Sequence, residues 1–147
     1  AAGTVEKAAV TTAVVAGTVG IFVGCSYTDP STSQLTFNQQ YPASTTASDI
    51  MAYVVDDPKI VLKMQGDEAI AQTGLGNNIS AVNTAGSTAI GRSKNALDGG
   101  SIATTNTLPL RILEFVDGPS STVGDAYTDC LVTYLPLSHA YETKLGV

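Results

Sequence analysis

Apolar residues in this chain alternate with polar ones or stand in short blocks, and no segment keeps a 3.6-residue apolar period for three turns. Alternation with a period of two sends successive side chains to opposite faces of a strand. Gln34–Gln40 reads this way through Leu35 and Phe37. Tyr127–Leu135 does so through Cys130, Val132 and Tyr134, set against Leu131, Thr133 and Leu135. Val19–Cys25 differs, because its Ile21, Phe22 and Val23 are continuous, the pattern of a strand buried on both faces. Ile79–Val82 and Leu108–Val116 are two further strands. Ile50–Val55 and Ile60–Gln65 flank Asp56-Asp57-Pro58-Lys59, where Asp and Pro preset a tight turn. The pair is expected to form a β-hairpin with its turn in solvent. Asp67–Gln72 carries the signals of one helical turn, with Gly74 past its end.

Roughly seven or eight short strands separated by turn signals predict an all-β fold, a single antiparallel β-sandwich or β-barrel domain with at most short helical turns. Residues 18–147 form that domain, and residues 1–17 precede it as an extended N-terminal arm or a first strand. Ile21, Val23, Ile50, Val54, Val61, Leu110, Ile112, Leu131 and Val132 are the expected core. The first segment is small, β-branched and almost uncharged, with Glu6 and Lys7 its ionised side chains. Alone in water it buries too little to offset its ordering entropy. Two readings stand side by side: Ala9–Val15 pairs within its own domain, or Ala1–Val15 anchors the chain to a partner through Val10, Val14 and Val15.

Composition narrows the function. Only 14% of the residues are charged, against about 25% in ordinary domains. Gly, Ala, Ser and Thr fill the gap, which suits a chain that packs against neighbours, since charge is depleted at interface cores. The net charge is −6, and the seven Lys and Arg are scattered, so the basic stripe that nucleic-acid binding requires is missing. No apolar run reaches the roughly 18 residues of a membrane span. The opening residues also lack the basic start and long apolar heart of a secretory signal.

Candidate chemistry is sparse. His139 is the single histidine, so any Ser-His-Asp or Cys-His site has to use it. Cys25 and Cys130 each lie in an apolar stretch; two buried free thiols or one long-range disulfide both fit. Asp56–Asp57 and Asp67–Glu68 are adjacent acids, better explained as turn residues than as an acid-base pair. Gly74-Leu75-Gly76 lacks the third glycine and the lysine of a phosphate loop, and Asn78-Ile79-Ser80 matches a glycosylation triplet. No catalytic residue, no cofactor and no metal is expected, and the chain reads as a structural or binding unit rather than an enzyme.

Gly20-Ile21-Phe22-Val23-Gly24-Cys25-Ser26-Tyr27-Thr28-Asp29 resembles the opening of small virion structural proteins of tailed bacteriophages. Tyr41-Pro42, Ala52–Pro58, Leu110–Leu113 and Gly124–Tyr127 resemble the same family, so the likeness spans most of Val19–Tyr141. It implies a capsid decoration, or cement, protein on the outer capsid surface, assembled in the host cytoplasm. Its implied partners are the major capsid protein and other copies of itself as a homo-oligomer, trimers being common in such proteins. It carries no catalytic residues to transfer. A secreted fimbrial or adhesive β-sandwich subunit, and a tail or fibre component, are the alternatives. A quantitative disulfide would favour the secreted subunit, and free thiols a cytoplasmic assembly.

Overall fold

The structure, a computed structural model, describes residues 4–6, 17–42, 44–87, 89–136 and 138–142. It is all-β, with two antiparallel sheets packed together. The strands are β1 (Ile21–Thr28), β2 (Leu35–Asn38), β3 (Met51–Val55), β4 (Val61–Gln65), β5 (Asn78–Val82), β6 (Ala96–Ala103), β7 (Leu110–Phe115) and β8 (Asp129–Tyr134). Helix among the described residues is confined to two 3-10 turns, Gln72–Gly74 and Ala140–Glu142. A three-stranded sheet has the order β2-β1-β3, and a five-stranded sheet the order β4-β8-β7-β5-β6.

The five-stranded sheet holds the core. Period-two alternation sends Leu110 and Ile112 of β7, and Cys130, Val132 and Tyr134 of β8, to one face. There they meet Ile79 and Ala81 of β5, Leu97 of β6, and Ile70 from the loop after β4. The sheet curls until its edges approach each other: Gly66, just past β4, bridges Leu97 of β6, and the Asp67 N–H donates to the Leu97 carbonyl at 2.9 Å. The edge groups thereby find partners that an open sheet would leave to solvent. The segment leading into β1 is tied to the segment that follows β8. Thr18 bridges His139, the Gly17 N–H donates to the Ser138 carbonyl at 2.9 Å, and the Ala140 N–H to the Thr18 carbonyl at 2.9 Å.

The expected hairpin does not form. β3 pairs with β1 and β4 pairs with β8, so Asp56–Lys59 carries the chain from one sheet to the other. The turn itself is present: Asp57 Oδ1 accepts from the Lys59 N–H at 2.8 Å, and the Asp57 carbonyl from the Ile60 N–H at 3.2 Å. Turn chemistry fixes a local reversal, but burial decides which strand receives the ladder bonds. Beside β8, β4 packs Leu62 and Met64 against the core cluster.

Of the nine expected core residues, Leu110, Ile112 and Val132 are buried in the cluster. Ile50, Val54 and Leu131 are half-buried, while Ile21, Val23 and Val61 are exposed. Leu131 neighbours Val132 in one strand, so the two must face opposite ways. Val61 lies on the outer face with Leu131, across from Thr133. The continuous Ile21-Phe22-Val23 block reflects a β-bulge between Phe22 and Gly24, not burial on both faces. β6 was not expected, because Gly99 and Gly100 read as loop.

Candidate binding surface

The three-stranded sheet has two unlike faces. Cys25 and Tyr27 lie on its inner face and are buried; the Tyr27 hydroxyl accepts from Asn38 Nδ2 at 2.8 Å. The outer face follows from the register. Thr28 stands opposite Leu35, Ser26 opposite both Phe37 and Met51, and Gly24 opposite Tyr53. The central strand therefore places Gly24, Ser26 and Thr28 on this face, the first two buried, while the edge strands show Leu35 and Phe37 on one side and Met51 and Tyr53 on the other. Small residues make the floor of a trough and large apolar ones make its walls. Its upper end forms a shallow depression lined by Val23, Gly24, Phe37, Asn38, Gln39 and Tyr53, among others.

The floor is held from both sides. Ser26 Oγ and the Tyr53 hydroxyl are hydrogen-bonded at 2.9 Å, which leans the tyrosine across the trough. Gly24 has φ +157°, and a Cβ there would stand 2.9 Å from the Asn38 carbonyl oxygen, so no side chain fits between β1 and β2. The walls are open to solvent: Leu35, Phe37, Met51 and Tyr53 are 64%, 65%, 63% and 44% exposed. None of the residues of β1, β2 or β3 is charged. Strand charges are instead on the five-stranded sheet, at Lys63, Asp98, Arg111, Glu114 and Asp129. Lys63 and Asp129 pair there at 2.8 Å. Sequence reasoning placed Leu35 and Phe37 on one face of a strand but missed the surface, which appears only once β1 is known to lie between β2 and β3.

The other candidates are not brought together as a site. Val10, Val14 and Val15, the expected anchoring residues, lie outside the described residues. His139 is fully buried, with Tyr134 and Tyr141 edge-on at ring separations of 5.4 and 5.2 Å. Its Nδ1 accepts from the Tyr141 N–H at 3.3 Å and its Nε2 has no hydrogen-bond partner among the described residues, so no described thiol or hydroxyl is bonded to the ring. Asp56 Oδ2 accepts from the Tyr141 hydroxyl at 2.9 Å, whereas Asp57 Oδ1 accepts from the Lys59 N–H within the turn. Asp67 and Glu68 meet Asp98, with carboxylate oxygens within 4.8 Å of one another, in an exposed cluster. Asn78 is buried, with its Nδ2 donating to the Thr105 carbonyl at 2.8 Å and its Oδ1 accepting from Arg111 Nε at 3.1 Å. The folded protein thus withholds its glycosylation triplet. No described helix is long and apolar enough to cross a membrane.

Cys25 in β1 and Cys130 in β8 are free and buried in separate sheets. Burial pushes the Cys130 thiol up to about 11 from an ordinary 9.0, with the Asp129 carboxylate adding to the shift. Burial also raises Tyr134, and the hydrogen bond to Asp56 raises Tyr141. In each case the folded protein holds the proton more tightly than the unfolded chain. This stabilising contribution is complete below the ordinary pKa and is lost as pH climbs from there through the folded value. For Cys130 that window is 9.0 to about 11. The melting temperature is expected to fall across it, read by a thermal series in matched ionic strength. A melting temperature flat through the window would contradict the assignment.

No family model, characterised protein or solved structure matches the chain.

Proposed function

We propose that the chain is a structural virion protein that binds the outside of a tailed-bacteriophage capsid and stabilises it, as a decoration or cement protein. The observation that carries the reading is the uncharged, apolar outer face of the three-stranded sheet in a chain of net charge −6. An interface core depleted of charge and enriched in aromatic residues and Met has this composition. The family resemblance supplies the partner, the major capsid protein, and the chain acts by contact rather than catalysis. Each contact is modest, and repetition over a lattice multiplies it. The segment Ala1–Val15, with Val10, Val14 and Val15, is proposed as an anchoring arm that adds a strand to an exposed sheet edge of the capsid protein. The two free thiols accord with assembly in a cytoplasm, and so favour this reading over a secreted fimbrial subunit.

The test uses purified chain and capsids stripped of it. Saturable binding at a fixed ratio to the capsid protein, with raised resistance of the shell to heat, is expected. Absence of the chain from virions by quantitative mass spectrometry, together with no binding to shells, would overturn the proposal. Deletion of Ala1–Val15 reads the arm. A shortened protein that folds and loses capsid occupancy marks an anchor, whereas one that fails to fold marks an internal strand. Full occupancy by the shortened protein places binding in the body of the domain.

A further inference from the structure

We infer that Asp67, Glu68 and Asp98, with the hydroxyl of Ser80, form a calcium-binding site that closes the seam of the five-stranded sheet. The inference goes beyond the decoration role and does not depend on it. The seam brings the acids together. Gly66 bridges Leu97, and the Asp67 N–H donates to the Leu97 carbonyl at 2.9 Å, so the segment after β4 runs beside β6. There one carboxylate oxygen from each of Asp67, Glu68 and Asp98 lies within 4.8 Å of the others. Calcium takes oxygen ligands at about 2.3–2.6 Å, so ligands of one ion stand at most about 5 Å apart. Lys63 and Asp129 make the one ion pair among the described residues, so no described Lys or Arg offsets the three acids.

Exposed acids are common without an ion, and Ser80 distinguishes this group. It stands directly across from Asp98 in the β5–β6 pair. The next pair, Ala81 and Leu97, lies in the core cluster, so Ser80 and Asp98 share the opposite face. Residues that face each other on one side of an antiparallel pair have Cβ atoms about 4.5–5.5 Å apart, which sets the Ser80 side chain beside the Asp98 carboxylate. Ser80 is 5% exposed, and its Oγ has no hydrogen-bond partner among the described residues. Its N–H already donates to Ser101 Oγ at 2.9 Å, and Ser101 Oγ donates in turn to the Asp98 carbonyl at 2.7 Å. A buried hydroxyl without a partner is costly. A cation held between it and the carboxylates gives every one of these oxygens a partner.

Space and donor chemistry choose the ion. Gly99 and Gly100 leave room beside the carboxylates. A Cβ on Gly99 would stand 2.7 Å from Glu68 Cγ, and one on Gly100 would stand 3.1 Å from Glu68 Oε1 and 3.5 Å from Asp98 Oδ1. A side chain at either position would crowd the acids. The Gly99 N–H donates to Asp67 Oδ1 at 3.1 Å and orients that carboxylate. Every donor is an oxygen, which selects a hard cation. Magnesium dehydrates reluctantly and is usually held by one or two carboxylates, whereas calcium accepts about 6–8 oxygens in flexible geometry. Three carboxylates, a hydroxyl and waters on the exposed side meet that number. The sequence predicts no metal because Ser80 and Asp98 are distant from Asp67 along the chain, and only the seam unites them.

Thermal unfolding of the intact chain in calcium chloride, against sodium chloride of equal ionic strength with EDTA, reads the outcome. Weak calcium sites of surface modules bind at about 10⁻⁴–10⁻³ M. About 10 mM calcium should therefore raise the melting temperature by roughly 3–11 °C, and magnesium should raise it far less. Asp98→Asn and Glu68→Gln should each lower calcium affinity at least tenfold. Ser80→Ala should lower it several-fold without lowering the melting temperature in EDTA, which separates a ligand from a structural hydroxyl. Asp117→Asn, at an exposed acid outside the cluster, should keep the wild-type response. A calcium titration of the wild-type chain followed by amide NMR gives a readout independent of any variant, and the Asp67 and Gly99 signals should shift and saturate. A melting temperature unmoved by calcium, an equal response to magnesium, or unmoved Asp67 and Gly99 signals overturns the inference. Cluster variants or Ser80→Ala binding calcium as tightly as wild type overturn it too.

Discussion

Ile112→Ala is expected to lower the unfolding free energy by about 2–5 kcal/mol, the range for truncating a fully buried aliphatic side chain. Ile112 is completely buried, paired with Val132, and packed in the cluster with Ile70, Ile79 and Leu97. The cost should lie in the upper part of the range because the surroundings cannot collapse into the cavity. The Ile112 N–H donates to the Asn77 carbonyl at 3.0 Å and its own carbonyl accepts from the Gly76 N–H at 3.0 Å, so its backbone is held against the loop as well as in the sheet. At about 2–4 °C per kcal/mol for a chain of this size, the melting temperature should drop by roughly 4–20 °C. Val61→Ala, on the outer face of the same sheet and 51% exposed, should change stability by about 0.5 kcal/mol or less. Urea unfolding of the two variants beside wild type is the measurement, and equal effects would mean that the faces of the sheet are misassigned.

Thr128→Val should cost about 1–3 kcal/mol through hydrogen bonding alone, because valine has nearly the same shape. The Thr128 hydroxyl accepts from the Ile70 N–H at 3.1 Å and donates to the Asp125 carbonyl at 2.9 Å, and the residue is 1% exposed. Valine leaves the N–H of the fully buried Ile70 without its partner. Thr128→Ser keeps the oxygen and loses a methyl, worth about 0.8 kcal/mol, so serine should be the milder change. The reverse order in a denaturation series would show that packing, not the hydroxyl, holds the loop carrying Ile70 onto the core.

Strands with long-range partners were legible in the sequence when their alternation was strict. β7 and β8 place Leu110, Ile112, Cys130 and Val132 inward as the period of two requires. The hairpin failed because Asp57 and Pro58 encode a reversal and say nothing of β8, a strand far along the chain that takes β4. Ile21 and Val23 were misplaced because hydrophobicity predicts burial only if something covers the residue, and no described residue covers either of them. The trough was invisible for a related reason. Gly24, Ser26 and Thr28 are unremarkable small residues until the register sets them between Phe37 and Met51. The arm residues Val10, Val14 and Val15 lie outside the described residues and stay with the proposed function.

The position of β8 sets an order on the making of this protein. It lies inside the five-stranded sheet, between β4 and β7, yet it is the last strand in the described chain. A growing chain therefore completes β1, β2 and β3 early, and its main core waits for β8, the last of the described strands, before it can close. Throughout that interval the apolar outer face of the small sheet stands next to an unfinished body. Non-local closure of this kind is slow and leaves intermediates prone to aggregation. Slower translation before Asp129 would prolong this exposure, whereas faster completion or early capture of the sheet would shorten it.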